Sequence, residues 1–419
     1  MIIINKKINH LFNRKNFVIL FFAILIINYV FFNHRILFRE NGYILGDWLV
    51  NYNGGFVRRA FLGQIFFYFS KISNLSIINI IFVFSSIIYC ISIILFYKIL
   101  KDKLNNNIVL IMILLPSTLL FNFFDPLTVG RKEILVFFLF FIYYLNLDNK
   151  NIFYKIFFYF LFIIFILTHE IVFFQIPYLF LLRYLYLKKN KNIFNFKDYH
   201  LEILIFITGS LIILLFFKYS YLYDNQILCS SLSEVKLSNN VCYGTINDLL
   251  WKDKEVFLAL WGYFNERNYF FNYSLYILLS LFPIIYIYIR IINKKFIKKL
   301  FILSLFCFLF SLIFILRVND WGRYINITII LQLLVFLKFL DFNFGLCNFN
   351  FANNKIIKIF LLIIYLTNWH MPHCCNPNIG DGYNDLVYRA KSRILDNTSN
   401  STKFNDKPRL ILRKLFNIH

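Results

Sequence analysis

Residues 76–97 read SIINIIFVFSSIIYCISIILFY, and no charged side chain interrupts them. A helix rises about 1.5 Å per residue, so this stretch is roughly 33 Å long, enough for a hydrocarbon core of about 30 Å. The run reads as a membrane-crossing helix, and it is not alone. Apolar runs lie at 17–33, 76–97, 108–124, 133–147, 153–168, 171–187, 201–220, 271–292, 299–317, 325–341 and 356–369. The expected architecture is therefore all-α: a polytopic membrane helix bundle with about eleven transmembrane helices. The break at Thr168–Glu170 leaves open whether 153–187 forms two spans or one broken helix.

Composition agrees. Of the 419 residues 60% are hydrophobic, 21% aromatic and only 16% charged, and Phe alone occurs 56 times. Soluble domains are about 45–50% apolar and about 25% charged. A soluble enzyme, a disordered chain and a disulfide-rich secreted scaffold are all excluded. The net charge of +23 would suggest nucleic acid in a soluble protein. Here the basic residues gather in short loops between apolar runs, which marks a cytoplasmic side instead. No nucleic-acid partner is expected.

The N-terminal MIIINKKINHLFNRKNF is basic, contains no acid and lacks a small-residue cleavage site, so it reads as an uncleaved first span. With that end inside, the inner loops hold 22 of the 44 basic residues but only 5 of the 21 acidic ones. This predicts a cytoplasmic N-terminus and an outer C-terminus. The chain is then one membrane domain over 1–419. Its first outer loop is 34–75, its large outer loop 221–270 and its outer tail 376–419.

That orientation collects the unusual residues on one face. GDWLVNYNGGFVRRAFLGQ (46–64), DPLTVGRKE (125–133), THE (168–170), NDWGRY (319–324) and NWHMPHCCNPNIGDGY (368–383) all fall outside, with all five Trp there or at that interface. Five of the 13 Gly lie between Gly42 and Gly63. Asn53-Gly54-Gly55 calls for a tight turn or for close approach of backbone to a ligand. Asp47 precedes it and Arg58-Arg59 follow. Phe61 to Phe69 is apolar but too short to span, which suits a short helix lying in the interface. This loop reads either as a structured turn with an anchor, or as a carboxylate and an Arg pair placed for a lipid phosphate, because Arg forks grip phosphate oxygens bidentately.

Asp125, Arg131, Lys132 and Glu133 crowd the start of an apolar run, where charge is costly unless it pairs or meets a polar ligand. His169 and Glu170 stand between two runs, as a plain hairpin turn or as a proton-handling and phosphate-binding pair. Asp320 and Arg323 repeat the acid–aromatic–Gly–Arg pattern in a short loop. His370 and His373 beside Cys374-Cys375 suggest a metal, but structural zinc sites pair ligands at two separated places, so no metal site is expected. No cofactor motif occurs, which leaves room only for a divalent cation. Cys229 and Cys242 share the large outer loop, where a disulfide is expected if that loop faces an oxidising compartment.

The stretch Asp47-Trp48 through Gly54-Gly55-Phe56-Val57-Arg58-Arg59 resembles a signature of multi-spanning proteins from bacterial polysaccharide loci, the O-antigen or oligosaccharide-unit polymerases. The arrangement also resembles the lipid-dependent GT-C glycosyltransferases, in which an Asp of the first outer loop is the catalytic base and an interfacial helix follows it. The resemblance implies a glycosyltransferase or polymerase of the bacterial inner membrane, acting on polyprenyl-(di)phosphate-linked sugars at its outer face. Its partners would be that lipid-linked substrate and the membrane lipids. Asp47 would be the base, with Glu170 or Asp320 as substitutes. Arg58, Arg59, Arg131, Lys132, Arg323 and His169 would bind phosphate; Asp125, Glu133, His370 and His373 are further candidates. The competing expectation is a transporter or flippase of a lipid-linked or anionic substrate.

Overall fold

The computed structural model describes residues 14–190, 195–219, 223–249, 269–291, 295–314, 320–342, 365–366, 369 and 371. Among them the chain is all-helical. Six helices are long and apolar enough to cross a membrane: Arg14–Leu37, Ile77–Leu100, Ile171–Asn190, Phe196–Tyr219, Phe270–Ile289 and Trp321–Phe342. Two shorter apolar helices, Ile134–Leu145 and Ile152–Thr168, join them. This is a membrane-embedded helical protein.

We number the helices used below in chain order: α1 Arg14–Leu37, α2 Leu45–Leu49, α3 Phe61–Ser73, α4 Ile77–Leu100, α5 Asn107–Ile113, α6 Phe121–Phe124, α7 Ile134–Leu145, α8 Ile152–Thr168, α9 Ile171–Phe174, α10 Ile176–Asn190, α11 His200–Tyr219, α12 Asn225–Ser233, α13 Thr245–Asp248, α14 Tyr269–Ile291, α15 Lys295–Leu312 and α16 Trp321–Phe339. α16 is the hub. Every residue of it except Lys338 is buried, and it packs on α10, α14 and α15. The peripheral helices show the opposite pattern. Leu20, Ile24 and Ile27 of α1, and Leu204, Ile207, Leu211 and Leu214 of α11, are exposed. An exposed aliphatic stripe on a long apolar helix faces lipid rather than water.

The apolar run 108–124 departs from the expected single span. α5 stops at Ile113, a turn carries Pro116, and α6 resumes only at Phe121. Proline lacks the donor a helix interior needs, and it disfavours helical backbone at the residue before it. The break is satisfied internally. The Thr118 hydroxyl donates to the carbonyls of Met112 at 2.8 Å and Leu115 at 2.9 Å. The amide of Asn326 on α16 donates to the Ser117 and Thr118 carbonyls at 2.8 and 3.0 Å. Irregular backbone at membrane depth survives only when buried against protein in this way.

Residues 153–187 resolve into helices that meet at His169. α8 ends at Thr168, His169 is extended (φ −158°), and α9 starts at Ile171. The 299–317 run lies partly in α15, which opens on Lys295, Lys298 and Lys299. The 356–369 run, the tail 376–419, His370, His373, Cys374 and Cys375 lie outside the described residues or almost wholly so.

The segment 223–249 is clamped onto the first loop. Cys229 and Cys242 are disulfide-bonded, with Cα atoms 6.1 Å apart. The backbone N–H of Asp224 donates to the Gly54 carbonyl at 2.7 Å, and that of Thr245 to the Gly42 carbonyl at 3.1 Å. A Cβ on Gly54 would lie 2.2 Å from the Asp224 carbonyl oxygen. The close approach that the glycines call for is thus made by the chain's own 224–245 segment.

Candidate functional site

Five segments meet at one end of the bundle. α2 brings Asp47, and the turn before α3 brings Arg58 and Arg59. The turn before α7 brings Arg131, Lys132 and Glu133. The α8–α9 junction brings His169 and Glu170, and the start of α16 brings Asp320 and Arg323. Local rules explain much of this. Gly130 adopts φ +77°, and a Cβ there would lie 2.5 Å from the Asn33 side-chain oxygen. Only glycine fits, and its carbonyl accepts the Trp48 indole N–H at 2.5 Å. This joins the α2 turn to the Arg131–Glu133 turn. Gly63 does the same for α3, since a Cβ would fall 1.9 Å from the Val50 carbonyl oxygen.

Arg59 grips Glu170. Its Nε donates at 3.0 and 2.8 Å to the two carboxylate oxygens, and a terminal nitrogen donates at 2.7 Å. A further Arg59 nitrogen lies 3.8 Å from Asp47 Oδ1, and Arg58 reaches 3.7 Å from Glu170. Lys132, wholly buried, donates to the Arg59 carbonyl at 2.8 Å and stands 3.9 Å from Asp47 Oδ1. Its ammonium also lies 5.7 Å over the Trp48 ring. Arg323 bonds both Glu133 and Asp320. His169 lies 3.9 Å from Glu133 and 3.8 Å from Glu170.

Burial and neighbours set the protonation states. For Glu170 burial favours the acid, but Arg59 and Arg58 outweigh it and hold the carboxyl well below its usual range. Asp47 follows the same balance, with Lys132 and then Arg59 opposing its burial. Burial pushes the Lys132 ammonium down to about 8 against the pull of Asp47. His169 is pushed down to about 3 by burial and then by Arg59, so the ring is neutral at physiological pH. Burial and neighbouring Arg323 both lower Arg131, which still remains a cation.

Among the described residues Arg131 has no carboxylate within ion-pair distance, and its guanidinium donates to the Tyr43 and Leu127 carbonyls, at 3.2 and 3.4 Å. It lines a small recess, with room for about one water molecule, together with Arg323, Glu133, Asn122, Thr128 and Asn326. A second small space adjoins it and shares Asn122, Ile134, Phe137 and Asn326. Its remaining wall is mainly apolar, with Ile93, Leu119, Phe141 and Ile330.

The sequence-derived candidates therefore gather, but not all face one cavity. Arg131, Glu133 and Arg323 line the recess. Asp47, Arg58, Arg59, Lys132, His169 and Glu170 form a charge network outside its lining. The recess is lined from α1, α6, α7, α16 and the 128–133 turn, and no described residue of α3 lines it. Asp125 is buried next to it, at the head of the Pro126–Thr128 turn. Among the described residues no group of three or more His, Cys, Asp or Glu is placed to hold a metal.

The sequence does not single out Asn122, Asn326 or Asp248. Asn326 lies three residues from Arg323 on one helix, a spacing that puts both on one face and was legible. Asp248 carried no such signal. It sits in the 223–249 segment, where burial and then Asp320 push its carboxyl up to about 6, opposed by Arg131 and Arg59. Comparison with protein-family models, with curated proteins and with solved structures finds no match to the chain.

Proposed function

We propose that the protein is a membrane glycosyltransferase or polymerase. It moves sugar from a polyprenyl phosphate or diphosphate carrier to an acceptor hydroxyl, in assembly of bacterial surface polysaccharide. One observation carries this reading: two buried guanidiniums, Arg131 and Arg323, line a recess that continues into a largely apolar slot. A phosphate suits the guanidiniums, which bind its oxygens as forks, and a hydrocarbon tail suits the slot. Transfer also needs cations where the leaving phosphate gains charge, and a carboxylate to take the acceptor proton. Within this cluster, Asp47 and Glu133 are the carboxylates with a buried oxygen that finds no hydrogen-bond partner among the described residues.

In this reading the bundle lies in the inner membrane with its N-terminus in the cytoplasm and the charged cluster outside. The Cys229–Cys242 disulfide lies at the cluster's end of the bundle, which suits an oxidising compartment there. α3 lies in the interface, with Ile65, Tyr68, Phe69 and Ile72 exposed towards lipid.

A transport reading draws on one feature, the broken segment 107–124 stitched to α16, since transporters bind at discontinuous helices. One experiment separates the readings. Lipid-linked intermediates in a strain lacking the protein are read by mass spectrometry. A single unextended repeat on lipid indicates a polymerase, and a truncated repeat a transferase. Full-length lipid-linked material held inside indicates a flippase. An unchanged lipid-linked pool overturns the proposal.

A further inference from the structure

We propose that Glu133 and His169 form a subsite for one ligand hydroxyl, and that Glu133 rather than Asp47 receives the acceptor's proton. The assignment of that hydroxyl to an acceptor rests on the transferase reading above; the subsite itself does not.

Two buried atoms without partners among the described residues define it. His169 is 1% exposed and Glu133 6%. The Ile171 backbone N–H donates to His169 Nδ1 at 3.2 Å, so Nδ1 is an acceptor. In a neutral imidazole the proton then resides on Nε2. Among the described residues that Nε2 has no hydrogen-bond partner, and neither has Glu133 Oε2. The approach of Nε2 to Glu133 Oε1, at 3.9 Å, is too long for a hydrogen bond, and Oε1 already accepts from Arg323. A buried donor and a buried acceptor are thus left open beside each other, which is costly unless a ligand satisfies them.

A hydroxyl fits both. Its oxygen accepts from Nε2–H, and its proton is donated to Oε2. A phosphodiester fits only one need: its oxygen can accept from Nε2–H, but it brings no proton for Oε2 and would meet the Glu133 charge. Glu133 also lines the recess beside Arg131 and Arg323, so the hydroxyl and the phosphate would be neighbours. In the transfer step the hydroxyl oxygen bonds to the sugar's anomeric carbon and its proton passes to Glu133 Oε2. The carbon–oxygen bond to phosphate breaks, and its electron pair stays on the phosphate oxygen facing the two guanidiniums. His169 keeps its proton throughout and orients the hydroxyl.

Two measurements test this. The full chain with ¹⁵N-labelled histidine, in lipid nanodiscs, should show a neutral His169 with the proton on Nε2 at pH 7. A Nδ1-protonated ring or an imidazolium overturns the subsite whatever the protein's activity. Complementation of the deletion strain, read by mass spectrometry of lipid-linked sugars, supplies the second arm. Glu133→Gln and His169→Phe should each lower extension by about 100-fold or more, the range of general-base losses. His169→Gln, which keeps an N–H donor, should retain more activity than His169→Phe. Full extension by Glu133→Gln overturns the proposal. If that variant only lowers the unfolding temperature, the open pair holds a structural water instead, and the proposal is again overturned. Loss in Asp47→Asn with full activity in Glu133→Gln would leave the transferase reading standing and this subsite refuted. If deletion leaves the lipid-linked pool unchanged, the transferase reading fails, and the histidine spectrum alone decides the subsite.

Discussion

Arg59 binds Glu170 through three hydrogen bonds of 2.7–3.0 Å while its own backbone holds φ +69°. A left-handed conformation costs a non-glycine residue about 1–2 kcal/mol, so the surrounding contacts must outweigh it. The strained turn aims the guanidinium back across the bundle end, between Glu170 and Asp47. Arg59 is thus the brace of the network in this conformation.

Removing one half of that pair should be costly. Glu170→Ala leaves Arg59 buried and under-compensated, and should destabilise the protein by about 3–5 kcal/mol. Arg59→Lys should also destabilise it, since an ammonium cannot span both carboxylate oxygens. Unfolding of purified protein in mixed micelles measures both. An unchanged unfolding midpoint in Glu170→Ala would show that the pair is not structural.

Gly63→Ala should separate α3 from the α2 turn. The new Cβ would meet the Val50 carbonyl at 1.9 Å and the Trp48 carbonyl at 2.7 Å, both backbone atoms that cannot rotate away. Overpacking of this kind costs about 1–3 kcal/mol. Ile72→Ala on the same helix, at a side chain 82% exposed, should cost far less in the same assay.

Acid should weaken the fold in two stages. His169 is at about 3 in the folded protein, below its unfolded value of about 6.5. The unfolded chain therefore binds the extra proton between those values, and stability falls as pH drops through that window. Glu170 is also held below its unfolded value, so its contribution, full above about 4.5, is lost on further acidification. His169→Gln should flatten the pH dependence from about 6.5 down to 5 and leave the steeper acid limb. A His169→Gln profile identical to wild type would place His169 elsewhere than in a buried, neutral state.

Reduction should loosen the 223–249 segment. Closing a loop of about 15 residues stabilises by about 3 kcal/mol in the chain-entropy model. The bond spans a sequence separation of 13. Cys229→Ser with Cys242→Ser should raise hydrogen exchange at Thr245, whose N–H is tied to the Gly42 carbonyl. Unchanged exchange there would mean that the glycine contacts hold the segment unaided.

The charged cluster was largely legible because intramembrane or membrane-edge charge is expensive and stands out against apolar runs. Asp47, Arg59, Arg131, Lys132, Glu133, His169, Glu170 and Arg323 were all visible on that ground. Their division of labour was not. Arg59 and Glu170 are 111 residues apart, and Trp48 and Gly130 are 82 apart. Lys132 reads as a phosphate ligand in the sequence, yet it lies wholly buried under Trp48 and the Arg59 carbonyl.

Transfer of apolar side chains out of water is a property each residue carries with it, so the sequence alone determined a membrane helix bundle. Glycine, proline and charge likewise act locally, and they marked the turns where chemistry gathers. Which charges neutralise each other depends on distances of 3–4 Å between segments far apart in the chain, and no periodicity encodes those. The tertiary structure alone decided that Arg131 and Arg323 face the recess while Arg59 is spent on Glu170. It also decided that the 108–124 run breaks at the Pro116 turn, because Thr118 and Asn326 are there to satisfy the freed carbonyls.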